Sequence, residues 1–192
     1  MTGHETSSAE FFDRKYREQR DPWDFEQSAY EGMRYDRIVE AVRHRRWRSA
    51  FEPGCSIGVL TGRLAAHCDQ LTAVDFSAEA AGIAAARCAH LPGVRVECAG
   101  LSERADVSGY DLVVLSEIGY YFEEEAWREL CARMVGTMDA GATLVGAHWL
   151  GESADHQMHG DTVHAMLRED SRLALQHEER HAAFRLDRWE RR

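Results

Sequence analysis

The sequence predicts an α/β fold with a mainly parallel sheet and helices on both faces. Three observations carry that expectation: short apolar runs alternate with longer amphipathic ones, glycine or proline bounds several of the runs, and no repeat or linker divides the 192 residues. One domain is the default at this length, which is enough chain to bury a substantial core.

The elements follow in order. Residues from about 8 to 47 are polar, aromatic and charged, broken at Asp21-Pro22-Trp23. Tyr35, Ile38, Val39 and Val42 recur at helical spacing, which predicts a helix from Arg34 to Trp47. Ser49-Ala50-Phe51 reads as a first strand ending at Glu52-Pro53-Gly54, and residues 59–67 as a helix. Residues 71–74 form a second strand, 78–89 an Ala-rich helix, 94–98 a third strand and 110–115 a fourth. A helix over 123–138 precedes a strand at 143–147 bounded by Gly141. A helix near 161–168 then leads into two strand-like runs, 172–177 and 182–189, that suit a closing hairpin.

Composition narrows the function classes. The formal net charge of −10 disfavours nucleic acid, whose general affinity for proteins comes from basic charge. The basic run Arg43-His44-Arg45-Arg46-Trp47-Arg48 is expected to be a solvated face. No apolar run approaches a membrane span, and Met1–Glu10 is too polar for a signal peptide, so a cytoplasmic protein without a membrane partner is expected. Five cysteines without a C-x-x-C pair suit a reduced compartment. His148, His156, His159 and His164 fall within 17 residues, but no cysteine or close carboxylate joins them and H-E-x-x-H is absent, so no metal is expected.

The informative segment follows the first strand: Glu52-Pro53-Gly54-Cys55-Ser56-Ile57-Gly58. In such a sheet, ligands sit beyond the carboxyl ends of the strands, at the switch point beside the first. Glycines there let the backbone approach a ligand, and the next helix aims its N-terminus at it. Asp75 ends the second strand, where a carboxylate can accept both hydroxyls of a ribose. NAD fits poorly because Ser56 stands where a dinucleotide fingerprint needs its second glycine. Residues 54–58 also spell G-x-S-x-G, with Asp111 and His148 in the order of a serine-hydrolase triad. Only one strand precedes Ser56 and no HGGG-type stretch lies upstream, so the hydrolase is the weaker reading.

E-P-G-C-S-I-G followed by L-T-A-V-D-F-S resembles motifs one and two of the class I S-adenosylmethionine-dependent methyltransferases. The resemblance is nearest to small methyltransferases related to nodulation protein S. It extends to D-P-W at 21–23, Y-E-G-M-R-Y at 30–35, Y-D-L-V-V-L-S-E-I-G-Y-Y at 110–121 and G-D-T-V-H at 160–164. It implies a Rossmann-like, seven-stranded sheet with the last strand antiparallel, forming a single domain over 1–192 with residues 1–47 as a helical cap over the site. It implies S-adenosyl-L-methionine as cofactor and a small-molecule acceptor.

The resemblance also distributes roles. Gly54 and Gly58 would line the amino-acid end of the cofactor, and Glu52 would hold the loop or the ammonium. Asp75 would take the ribose hydroxyls, Phe76 would pack on adenine, and Leu101 would offer its backbone to the adenine edge. The family's usual acidic residue is replaced by Gly100. Ser116 would reach the methionine portion, while Trp23 and Arg34 would cover the cofactor. Glu117 is the first choice for attracting an amine and accepting its proton, with Tyr120 or Tyr121 orienting the substrate. His148 and Trp149 would face the acceptor pocket; His148 or His164 would serve as base if the nucleophile were a hydroxyl. An N-methyltransferase is the leading expectation. An O-methyltransferase, the Ser56 hydrolase and a non-catalytic cofactor-binding module are the alternatives.

Overall fold

The computed structural model describes residues 8–192; most of the polar run Met1–Glu10 therefore lies outside the described residues. Seven strands form one sheet: β1 (Trp47–Pro53), β2 (Cys68–Asp75), β3 (Val94–Cys98), β4 (Leu112–Ser116), β5 (Thr143–Trp149), β6 (Leu173–Arg180) and β7 (Phe184–Arg191). Their spatial order is β3-β2-β1-β4-β5-β7-β6. β1 to β5 pair in parallel, and β7 inserts antiparallel to both β5 and β6. The expected closing hairpin is present, and its second strand is the antiparallel one. The chain reverses direction across the sheet between β1 and β4, which opens the crevice there.

Among the described residues, six α-helices accompany the sheet: α1 (Ala9–Glu18), α2 (Ala29–Val42), α3 (Val59–Ala65), α4 (Ala78–Cys88), α5 (Glu124–Thr137) and α6 (Gly160–Glu169). Alternation along β4 sorts the core into two layers. Leu112 and Val114 pack with Ile38 of α2 and Leu60 and Leu64 of α3. Val113 and Leu115 pack on the opposite face with Trp127 and Met134 of α5 and Val163 and Leu167 of α6. All five residues of β4 are buried because helices cover both faces of this central strand. Among the described residues, no helix is long and apolar enough to cross a membrane.

The N-terminal region departs most from expectation. α2 starts at Ala29, not Arg34, because the Ser28 side chain accepts the Glu31 N–H and caps it. It ends at Val42, and Trp47 opens β1 instead of closing the helix. The Trp47 indole donates to the Val42 carbonyl at 2.8 Å, while its backbone N–H donates to His67 O at 2.9 Å. The basic run is therefore a helix-to-strand turn rather than a helical face. Arg46 is engaged there with Asp69 and with the carbonyls of Ala66 and Cys68.

Candidate active site

A cavity of about 880 Å³ lies at the carboxyl ends of β1, β2, β4 and β5. Its wall contains ten aromatic side chains, among them Phe12, Tyr16, Trp23, Phe76, Tyr121 and Trp149. Among the described residues it also contains five carboxylates (Glu31, Asp75, Glu117, Glu123 and Asp155) and no lysine or arginine. This is the local form of the negative charge carried by the whole chain. The volume falls within the range of small-molecule sites, which run to roughly 1,000 Å³.

On the β1–β2 side the wall is built by backbone. Gly54 faces the cavity at φ +71°, and a Cβ there would come within 3.0 Å of Ile118 Cδ1. Asp75, buried at the end of β2, accepts the Ser56 N–H at 2.8 Å on one oxygen and the Ser77 N–H at 2.9 Å on the other. Burial pushes its carboxyl up to about 6 against the pull of those two N–H donors. Each oxygen keeps acceptor capacity toward the cavity. Phe76 presents a ring that is 37% exposed, and Leu101 and Gly100 complete this wall.

Gly58, Glu52 and Ser116 stand outside the wall. Gly58 does not line the cavity. It is the N-cap of α3 at φ +79°, and a Cβ would meet Ala84 at 3.1 Å and Cys88 Sγ at 3.3 Å, so it serves the packing of α3 on α4. Glu52 is buried behind the loop with Oε2 lacking a partner, and burial pushes its carboxyl up to about 8. It is not part of the cavity wall. Ser116 is buried at the end of β4, paired with Ala147, and is not part of the wall.

On the β4–β5 side the wall is built by side chains. Glu117 takes φ +57°, just before the 3-10 turn Gly119–Tyr121. Its Oε1 accepts the Trp149 N–H at 2.7 Å and pairs with Arg34, and its Oε2 accepts the Tyr120 hydroxyl. Two hydrogen-bond donors and one ion pair thus hold the group expected to act as base. Arg34 does not cover the cavity: it is 1% exposed, absent from the wall, and bridges Glu117 to Glu31 from below. Burial with Arg34 and Glu117 as neighbours leaves Glu31 pushed up to about 7, because desolvation outweighs the ion pair. Tyr121 and Trp149 line the wall as expected, and Trp23 stacks between Phe12 and Phe25.

His148 and His164 are both fully buried and neither reaches the cavity. Consecutive residues on β5 point to opposite sides, so Trp149 faces the site while His148 cannot. His148 Nε2 accepts the Gly119 N–H at 3.1 Å, its Nδ1 meets His164 Nε2 at 3.1 Å, and His164 Nδ1 meets Asp187 at 2.9 Å. Burial and the neighbouring His164 hold His148 well below the ordinary histidine range, in the neutral form this chain of contacts requires. The pair pins the turn that carries Tyr120. The hydrolase triad is not assembled either. Ser56 Oγ meets the Tyr16 hydroxyl at 2.6 Å, and Asp111 accepts the N–H groups of Arg48 and Ser49.

Several wall residues were not foreseen. Phe12 and Tyr16 come from α1, held to the loop by the Tyr16–Ser56 contact and by Asp13, which accepts from Ser77 Oγ. Glu31 comes from α2, and Asp155 and His156 from the segment between β5 and α6. His156 stood in the sequence only as a member of a histidine cluster. Among the described residues, no group of three His, Cys, Asp or Glu side chains is disposed to hold a metal ion.

Comparison with known proteins places this geometry in a family. The family model for nodulation protein S (NodS) matches residues 7–175. Nodulation protein S of Bradyrhizobium diazoefficiens (strain JCM 10833 / USDA 110) is 30% identical over 105 residues, covering 54% of this chain and 50% of that protein. The Rhizobium tropici protein of the same name is 27% identical over 169 residues, covering 81% and 69%. The chain spans about half the length of the Bradyrhizobium and Sinorhizobium relatives it matches. The crystal structure of the N-methyltransferase NodS from Bradyrhizobium japonicum WM9 in complex with S-adenosyl-L-homocysteine superposes with a TM-score of 0.82 at 22% identity, covering 95% of this chain and 98% of that one. Magnesium protoporphyrin IX methyltransferase from Synechocystis PCC 6803 shares the fold at a TM-score of 0.70 and 15% identity, covering 96% and 97%. With the Rossmann-like sheet of these structures and a family match over most of its length, the chain belongs to the nodulation protein S family.

Proposed function

We propose that this protein is an S-adenosyl-L-methionine-dependent methyltransferase that transfers the methyl group to the nitrogen of a small, cationic amine. The observation that carries the reading is the cavity wall, which combines five carboxylates, ten aromatic rings and no lysine or arginine at the switch point of the sheet. Such a wall favours positive ligands, because carboxylates attract them and ring faces stabilise them. Family membership and the printed activity of the Bradyrhizobium japonicum structure support the same chemistry.

The residues fit the cofactor. Asp75 would accept the ribose hydroxyls, since its oxygens are fixed by two backbone donors and stay open toward the cavity. Gly54 would let the methionine portion approach the loop, and Phe76 with Leu101 would flank the adenine. When bound, the cofactor supplies an electrophilic methyl on a sulfonium. The protein's task is to hold the acceptor nitrogen in line and dry at about 3–3.5 Å from that methyl. Trp149 and Tyr121 would contact the acceptor, and Glu117 would draw its positive charge toward the turn. We also read the described N-terminal residues 8–42 as a cap, with α1 supplying Phe12 and Tyr16 to the wall.

Mass spectrometry tests the reading. Incubation with S-adenosyl-L-methionine and a panel of small primary amines should yield S-adenosyl-L-homocysteine and one amine heavier by a methylene. Tight cofactor binding with no methylated amine or alcohol from the panel would favour a non-catalytic module.

A further inference from the structure

We propose that His156 is the catalytic residue that takes the proton from the acceptor ammonium. The inference rests on the methyltransferase reading and assigns a role within the same cavity. His156 is the one histidine on the cavity wall among the described residues, and none of them supplies a hydrogen-bond partner to either ring nitrogen. Its ring lies on Tyr120 with centroids 3.8 Å apart and planes 19° apart. Tyr121 at 5.3 Å and Trp149 at 5.9 Å meet it edge-on. Three aromatic rings thus fix the imidazole plane, while no described residue hydrogen-bonds its nitrogens.

Glu117, Asp155, Tyr120 and Tyr121 beside it are committed elsewhere. Glu117, the expected base, accepts from Tyr120 and the Trp149 N–H and is ion-paired with Arg34. Asp155, beside His156, accepts from Ser153 Oγ and from Lys15 of α1 at 3.4 Å. The Tyr120 and Tyr121 hydroxyls are held protonated by burial and neighbouring carboxylates. Burial lowers the His156 imidazole below its ordinary range, and His159 adds to that, while Asp155 and Glu117 oppose it. The imidazole thus lies beside two carboxylates that attract a cation, with a shift that favours its neutral form.

The step balances without a further reactant. Neutral His156 accepts a proton from R–NH3+, leaving R–NH2 and an imidazolium. The nitrogen lone pair forms the N–C bond as the S–C bond breaks, and the electron pair of that bond stays on sulfur. The imidazolium then returns its proton to solvent.

The test compares wild type with His156→Gln, using benzylamine and D-glucosamine as probe amines. S-adenosyl-L-homocysteine affinity is measured by calorimetry on the same samples. We expect the variant to bind S-adenosyl-L-homocysteine like wild type, yet to lose on the order of 100-fold in kcat/KM at pH 7. The loss should shrink above the pKa of the amine, where free amine needs no base; a merely structural defect would not be repaired that way. Independently of turnover, the His156 ring signal of the S-adenosyl-L-homocysteine complex should titrate below the ordinary histidine range in NMR and move when benzylamine is added. Normal cofactor-product binding with a His156→Gln pH profile equal to wild type, or an imidazole signal indifferent to amine, would overturn the role of His156 alone. A wild type that binds no S-adenosyl-L-homocysteine would overturn the methyltransferase reading itself.

Discussion

The two sides of the cavity are built by different means. On the β1–β2 side, the chemistry is set by backbone: Gly54 at positive φ on the wall, and two N–H groups aimed at the Asp75 carboxylate. On the β4–β5 side, side chains from α2, the Gly119–Tyr121 turn, β5 and the segment after it converge on Glu117 and His156. The first arrangement is local in sequence, since it needs only one loop and one strand end. The second draws on Arg34, Tyr120, Trp149 and His156, which lie more than 120 residues apart at their extremes. A backbone-built site tolerates change in its side chains, whereas a side-chain-built site depends on each partner.

The largest expected effect therefore falls on the β4–β5 side. Arg34→Leu would leave Glu31 and Glu117 facing each other without the cation between them. Removing one partner of a buried charge network costs about 3–5 kcal/mol, and urea denaturation should show a loss of that size. A loss below about 1 kcal/mol would mean that the carboxylates hold their places without Arg34 and that the contrast between the sides is overstated.

On the β1–β2 side, the matching test is steric. Gly58→Ala forces a side chain to φ +79° and against Ala84 and Cys88, at a cost of about 2–3 kcal/mol. Gly62→Ala, four residues on in α3, has nothing within 4 Å of the new Cβ and should stabilise by about 0.5–1 kcal/mol. Thermal denaturation of the two variants against wild type separates the backbone requirement at Gly58 from a general intolerance of α3. Equal effects at both positions would remove that distinction.

A smaller effect sharpens the pH behaviour of the same side. Glu52 and Asp75 both hold their protons more tightly when folded, with carboxyls pushed up to about 8 and about 6 by burial. Such groups contribute stability in full below their unfolded values near pH 4, and that contribution is lost as pH rises through the folded ones. Stability should accordingly fall between pH 5 and pH 8, and Glu52→Gln, which has no proton to lose, should flatten the fall. An unchanged pH slope in Glu52→Gln would show that Glu52 ionises freely in the folded protein.

The contrast also explains what the sequence reveals. Strand and helix alternation, the hairpin and the loop from Glu52 to Gly58 are legible because period and glycine placement are local signals. Asp75 is legible for the same reason: it ends the strand beside that loop. Helix α1, the start of α2 at Ser28 and the wall residue His156 are not legible, because their roles arise from contacts with distant segments. The G-D-T-V-H segment illustrates the limit. Its residues are visible as a motif, but only packing reveals that His164 is buried against His148 and Asp187 and does not face a ligand. Likewise, Arg34 is expected from the sequence to cover the cofactor, and it is among the most buried side chains in the fold.

The central claim is that the backbone-built side of the cavity binds a nucleoside through Asp75, and calorimetry with S-adenosyl-L-homocysteine tests it most directly. Wild type should bind in one-to-one stoichiometry. Asp75→Ala should weaken binding on the order of 100-fold, as expected for removing a charged acceptor from two hydroxyl donors. Wild type without binding, or an Asp75→Ala variant that binds as tightly as wild type, would contradict the account.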